Sequence, residues 1–175
     1  MNITTYPFSK ILYKENITWG NNIIIDDFTF ISVKSQLTIG SYVHISCFTS
    51  IIGSEIISIG DFAAISHGCR VFSSSDDFIE WGFGNPTVPY KYRNVKNAKV
   101  SIGNFCIIGA NSVVLPGVTI GEGATVGANS VVSKDLEPWG VYIGNNRIKE
   151  RNKDKVLENY KSFLASNSKR NSSIK

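Results

Sequence analysis

From Val100 to Asp135 the chain reads VSIGNF, CIIGAN, SVVLPG, VTIGEG, ATVGAN, SVVSKD, six hexads with an aliphatic residue in third place: Ile102, Ile108, Val114, Ile120, Val126 and Val132. The first place is small or modestly apolar: Val100, Cys106, Ser112, Val118, Ala124 and Ser130. The same doublets run upstream as Ile17/Trp19, Ile23/Ile25, Thr29/Ile31, Leu37/Ile39, Val43/Ile45, Thr49/Ile51, Ile57/Ile59, Ala63/Ile65 and Cys69/Val71. A spacing of two puts both side chains of a doublet on one face of a short strand, and the rest of each hexad must turn. Three such strands per coil close a triangular prism with the doublets inside.

The breaks in the spacing support coils of three. Ile31 to Ile39 and Ile51 to Ile59 are eight residues apart instead of six, Val71 to Ile102 is 31, and Val132 to Ile143 is 11. Each break follows a third hexad, so all extra residues leave from one edge of the prism. Glycine follows the aliphatic residue in the first hexad of each coil, at Gly20, Gly40, Gly60, Gly103, Gly121 and Gly144, as a tight corner or a close coil-to-coil approach requires. The pattern predicts five complete coils and the beginning of a sixth, stacked at roughly 4.8 Å.

The run GANSVVLPGVTIGEGATVGANSVVSKD resembles the hexapeptide-repeat acyltransferases, and the likeness covers about residues 17–148. The loop text SSSDDF and NPTVP is similar to the surface-polysaccharide branch of that family, the sugar O- and N-acyltransferases. The resemblance implies an all-β solenoid: a left-handed parallel β-helix of about five coils occupying residues 1–148, assembled as a homotrimer with sites between subunits. It also implies acetyl-CoA as acyl donor, its pantetheine arm lying along the coils at a subunit boundary. Between Val100 and Ser133 the only charge is Glu122, which suits such a contact.

Two segments fall outside the repeat. Residues 72–99 form a long excursion rich in aromatics (Phe72, Phe78, Trp81, Phe83, Tyr90, Tyr92) and carboxylates (Asp76, Asp77, Glu80); loops this long in a compact domain are usually functional. Relatives use such a loop to help form an acceptor site between subunits. Near the C-terminus, Val156, Leu157, Tyr160, Phe163 and Leu164 make an amphipathic stripe, so residues 149–167 are expected to form a helix that closes an end of the solenoid. The Ser/Lys/Asn-rich residues 168–175 are expected to be disordered.

Composition narrows the function classes. With 175 residues, 42% hydrophobic and 18% charged, the chain can bury one core. The net charge is a mild +4, and much of the basic excess lies after Arg147, which argues against a nucleic-acid groove through the fold. No apolar run approaches the roughly 18 residues of a membrane span, and Met1–Lys10 lacks the basic and apolar regions of a secretory signal. Three cysteines at wide spacing (Cys47, Cys69, Cys106) suit a reducing cytoplasm. Two histidines cannot supply the three-histidine zinc site of the carbonic anhydrases that share this fold, and no metal is expected.

Acyl transfer from a thioester needs a groove for the donor, hydrogen-bond donors for the developing oxyanion and an acceptor for the nucleophile's proton. By resemblance, Gly109, Ala110, Gly127 and Ala128 are the small residues beside the pantetheine arm. Lys134, Arg147 and Lys149, with Arg151, are the bases that could meet the CoA phosphates, although GNNRIK replaces the GNPAK-like text of relatives. Relatives place a histidine just after the strand that opens the long loop; here Asp76 stands there. The catalytic candidates are Asp76, Asp77 and His67, and the acceptor-binding candidates are His44, Glu80, Asn85 and Tyr90. A carboxylate is a weak base towards a hydroxyl but suits an ammonium, which it can bind, orient and deprotonate.

The expected activity is therefore transfer of an acetyl or short acyl group to a sugar, favouring the amino group of a nucleotide-linked deoxy-amino sugar for surface-polysaccharide synthesis. Direct attack in a ternary complex is expected, because Cys69 and Cys106 fall on inward positions and no cysteine has an evident base partner. O-acetylation of a glycan hydroxyl and a non-catalytic β-helix are the alternatives. An ice-binding prism would show flat rows of outward threonine and no large loop.

Overall fold

The computed structural model describes the backbone of residues 1–172 and the side chains of residues 1–167. The chain winds through three parallel sheets in rotation. Sheet A takes Ile3–Thr5, Ile23–Ile25, His44–Ile45, Ala64–Ile65, Ile107–Ile108, Thr125–Val126 and Gly140–Ile143, and ends on the antiparallel strand Asn146–Glu150. Sheet B takes Lys10–Leu12, Phe30–Val33, Ser50–Gly53, Arg70–Phe72, Val113–Val114 and Val131–Val132. Sheet C takes Ile17–Trp19, Leu37–Ile39, Ile57–Ile59, Val100–Ile102 and Thr119–Ile120.

Every doublet read from the sequence points inward and is buried, except that Trp19 is half-buried. The largest fully buried side chains are isoleucines, together with Leu37, and each contributes roughly 2–3 kcal/mol of hydrophobic stabilisation. β-branched residues suit these short strands because they lose little χ1 freedom there.

The solenoid has about seven coils: the five complete ones expected, plus incomplete turns at both ends. The first turn, Ile3–Thr5 and Lys10–Leu12, escapes the doublet pattern because only Ile3 and Ile11 pack against the core. The last turn corrects the sequence register. It restarts at Leu136, which bridges Ile120, so Tyr142 is buried while Ile143 is 57% exposed.

The three prism edges differ in character. At the edge from sheet C to sheet A, glycines stack coil on coil: a Cβ on Gly60 would lie 2.7 Å from the Gly103 carbonyl carbon, and one on Gly103 2.7 Å from Glu122 N. No side chain fits between such backbones. The column ends with Gly121 against Pro138 rather than Gly144, which instead turns the chain into the last strand with φ +58°. Tyr42, Phe62, Phe105 and Trp139 hold positive φ near 60° at this edge. Their rings stack along the axis at 4.8, 5.4 and 6.2 Å, which offsets the cost of a left-handed backbone.

The helix, Lys153–Ser172, lies along this aromatic stack instead of closing an end. Phe163 meets Tyr42 edge-on at 5.0 Å, and Tyr160 meets Phe62 and Phe105 edge-on at 5.2 Å. The helix begins later than the stripe suggested, because Lys149 and Glu150 belong to the antiparallel strand. It also runs further, so residues 168–172, expected to be disordered, are helical; the expectation for residues 173–175 lies outside the described residues. No helix among the described residues is long and apolar enough to cross a membrane.

Candidate functional site

The edge from sheet A to sheet B carries the residues singled out for the acyl donor. Its corners stack coil on coil: the Asn111 amide donates to His67 O (2.9 Å) and the Asn129 amide to Ala110 O (2.8 Å). Inward hydroxyl and thiol groups fix the same corners from inside. Thr49 donates to Ser66 O (3.1 Å), Cys69 to Gly109 O (3.3 Å) and Ser112 to Gly127 O (3.1 Å). Outside, Nη1 of Arg70 donates to the carbonyls of Phe48, Gly68 and Cys69.

His67, Gly109, Ala110, Gly127 and Ala128 are thus brought into one column, with His67 exposed. Gly109 has a packing reason of its own, since a Cβ there would lie 2.6 Å from Ala128 N. Gly127 has more room, with Tyr142 O at 3.3 Å from an added Cβ. On the N-terminal side the column continues as Phe8, Phe28 and Phe48, stacked at 5.7 and 5.1 Å.

Lys134, Arg147 and Lys149 gather at the C-terminal end of the solenoid, all exposed. Asn145 Oδ1 accepts from the amides of Ser133 and Lys134, which ties that corner to the last hairpin. Arg147 ion-pairs with Glu150 at 2.6 Å. Arg151 is not with them. Its Nη1 donates to Phe105 O (2.5 Å) and Gly123 O (2.9 Å), and its guanidinium lies over Trp139. That arrangement caps the corner from which the helix departs.

The excursion leaves from the third edge, between sheets B and C, where every break in the repeat falls. A two-stranded antiparallel neck closes it, pairing Ser74 with Asn97 and Ser75 with Lys96. Asp76 and Asp77 follow directly, with different surroundings. Asp76 Oδ1 accepts from Arg93 Nη2 at 3.0 Å, with side-chain exposures of 30% and 19%. Asp77 accepts from the amides of Ile79, Glu80, Trp81 and Gly82, each at 2.9 Å, and from Asn94 Nδ2 at 3.1 Å. These amides hold its carboxyl well below the usual carboxylate range. Asp77 is therefore the organiser of the loop turn, and Asp76 is the carboxylate with an oxygen to offer.

Glu80 accepts from Asn94 Nδ2 at 3.0 Å. Asn85 Oδ1 accepts from the Thr87 amide and hydroxyl at 3.0 and 2.9 Å, an Asx turn. Tyr90 is 74% exposed, and Phe78, Ile79, Trp81 and Phe83 of the same excursion are exposed as well. His44 lies apart from this loop, on the outer face of sheet A, where its Nε2 is 3.0 Å from Asp26 Oδ2. It borders a groove of about 460 Å³ lined by Asn2, Thr4, Asn22, Ile24 and Tyr42.

His67 and Asp76 lie at opposite ends of the strand Arg70–Phe72, so one chain does not bring them together. The sequence reading missed Arg93. Treating 74–97 as a hairpin would have found its neighbourhood: the neck register places Asp77 opposite Asn94, the pair that hydrogen-bonds. The thiols of Cys69 and Cys106 are buried. Desolvation pushes Cys69 up and Cys106 up to about 11, a poor setting for a nucleophile.

Residues 99–134 match the family "Bacterial transferase hexapeptide (six repeats)". Over 147 residues the chain is 42% identical to a dTDP-4-amino-4,6-dideoxy-D-glucose acyltransferase of Escherichia coli, covering 82% of this chain and 76% of the relative. It is also similar to AntD, an N-acyltransferase of Bacillus cereus solved with dTDP and 3-hydroxybutyryl-CoA: 40% identity, TM-score 0.90, 95% of this chain and 89% of that one. A further AntD structure holds dTDP-4-amino-4,6-dideoxyglucose and coenzyme A, at 40% identity and TM-score 0.89, covering 94% of this chain and 88% of that one. AntD was also solved with one aspartate replaced, and with a serine ten positions before it replaced. With this identity spread over most of both chains, and the solenoid and its edges in place, the chain belongs to the hexapeptide-repeat sugar acyltransferase family.

Proposed function

We propose that this protein transfers a short acyl group from acyl-CoA to the amino group of a dTDP-linked 4-amino-4,6-dideoxy sugar. The observation that carries this reading is Asp76: a carboxylate at the neck of the excursion, one oxygen held by Arg93, where the family more often has histidine. In AntD the substituted serine and aspartate are ten positions apart, and Ser66 and Asp76 are the one serine–aspartate pair at that spacing in this chain.

Asp76 receives the acceptor's ammonium and takes a proton from it. The freed amine attacks the thioester carbon, the tetrahedral intermediate collapses with cleavage of the C–S bond, the second proton shed by the nitrogen ends on the departing CoA thiolate, and Asp76 returns its own proton to solvent. Neither Cys69 nor Cys106 intervenes, since both face the core. The donor's pantetheine arm lies along the column of Gly109, Ala110, Gly127 and Ala128. Its phosphates meet Lys134, Arg147 and Lys149 as charge-assisted contacts. Glu80, Asn85 and Tyr90, on the excursion, border the acceptor.

The column and the excursion leave from different edges of one prism. A complete site therefore joins the column of one copy to the excursion of the next, in a homotrimer. The exposed Phe78, Ile79, Trp81 and Phe83 give the excursion an apolar surface for that contact. The product suits a cytoplasmic pathway that builds surface polysaccharide.

The test is thiol release by purified protein given acetyl-CoA or 3-hydroxybutyryl-CoA and dTDP-4-amino-4,6-dideoxyglucose. Release that depends on the amino sugar, with the 4-hydroxyl counterpart inert, is expected. Release with the hydroxyl sugar alone would overturn N-acylation, and absence of release with either would overturn the reading. Sedimentation equilibrium should return three times the 19.3 kDa chain mass.

A further inference from the structure

The neck of the excursion holds one ion pair, and its geometry is one-sided. Arg93 Nη2 donates to Asp76 Oδ1 at 3.0 Å, while Arg93 Nε, on the same edge of the guanidinium, is buried with no hydrogen-bond partner among the described residues. A guanidinium that met a carboxylate with both donors of that edge would occupy both oxygens. Here only Oδ1 is taken, and no donor among the described residues reaches Oδ2. The backbone on either side is fixed: Ser74 and Ser75 pair with Asn97 and Lys96, and Asn94, next to Arg93, binds Asp77 and Glu80.

We propose that Arg93 is a positioning residue for acyl transfer: it holds Asp76 by one oxygen, so that the other faces the acceptor's amine. The inference rests on reading Asp76 as the group that receives that amine. A single bond to a guanidinium anchored at the neck stops rotation of the carboxylate without closing both oxygens.

The experiment compares Arg93→Gln, Arg93→Lys and Arg93→Ala with Asp76→Asn and with the double variant Arg93→Gln/Asp76→Asn, in the full chain. Arg93→Gln should lower kcat for the amino-sugar acceptor by up to about 100-fold, the scale of a misplaced catalytic group, with KM for acyl-CoA unchanged. Arg93→Lys, a point charge with different reach, should recover part of the loss. Guanidinium at tens of millimolar should restore activity to Arg93→Ala, and sodium chloride at equal ionic strength should not. In the Asp76→Asn background, Arg93→Gln should add no further loss, because the two residues act as one unit.

Wild-type kcat in Arg93→Gln, beside an inactive Asp76→Asn, would overturn the positioning role and leave the Asp76 reading standing. A loss in Arg93→Gln that guanidinium cannot restore in Arg93→Ala, and that persists in the Asp76→Asn background, would make Arg93 a structural strut and overturn the proposal. Full activity in Asp76→Asn would overturn the Asp76 reading itself, and this inference with it.

Discussion

The indole of Trp139 lies flat across Gly123, so close that an added Cβ would overlap the ring carbons Cε3 and Cδ2. Gly123 also holds φ +70°, so it meets two demands that only glycine satisfies together. Gly123→Ala should therefore cost about 2–4 kcal/mol, combining left-handed strain with overpacking. Denaturant unfolding followed by tryptophan fluorescence checks this.

Gly127, one strand further along the chain, is the matching control. Its added Cβ would find Tyr142 O at 3.3 Å and Ile143 Cγ1 at 3.5 Å, a contact that small shifts relieve. Gly127→Ala should stay within about 1 kcal/mol of wild type in stability and yet weaken CoA binding, measured by calorimetry, because the methyl group stands on the column proposed for the donor. Unchanged CoA affinity would remove Gly127 from that column.

The helix is held by aromatic edges, and Phe163 makes two of them, to Tyr42 at 5.0 Å and Phe62 at 5.5 Å. Phe163→Ala should loosen the helix by about 1–2 kcal/mol and leave the solenoid core unchanged. Limited proteolysis should then cut within residues 153–172 faster, while the resistant fragment keeps its melting temperature.

Of the three cysteines, only Cys47 is not buried. Ellman's reagent at pH 8 should titrate one thiol per native chain and three after denaturation. The Cys106 thiol is held protonated up to about pH 11 by burial. Above about pH 8.5 the unfolded chain releases that proton and the native chain does not. Native stability should therefore fall as pH rises from about 9 towards 11, and Cys106→Ala should flatten the slope.

Asp77→Ala removes the acceptor of four amides and should disorder the turn at 79–82, abolishing acceptor turnover while CoA binding survives. Because those bonds lower the folded-state pKa of Asp77, its contribution is fully present above the ordinary carboxylate pKa. It is lost only when pH falls through the lower, folded value. Trp81 emission, reporting on the loop, should stay constant from pH 7 down to about 4 in the wild type, and should already be shifted at pH 7 in the variant.

Much of the architecture was legible because one physical rule repeats. Each coil must place two small or aliphatic side chains per strand inside a narrow prism, so the doublets from Ile17 to Val132 sit in register, and the breaks mark the edge from which loops leave. The rule fails where the prism ends. Leu136 and Tyr142 fill the last turn, and tertiary closure selects them over the regular spacing to Ile143. The helix was legible as a stripe, but its seat was not, because the stacked rings that receive it come from coils far apart in sequence.

The candidate site divides in the same way. Sequence alone determined a three-sided solenoid, its corner glycines, a single long excursion and a carboxylate where relatives place histidine, because each follows from local periodicity or from the residue at one position. Only the tertiary structure decided which aspartate has an oxygen to offer and that Arg93 holds it. Those outcomes depend on hydrogen bonds across the loop neck, which leave no periodic trace in the residues involved.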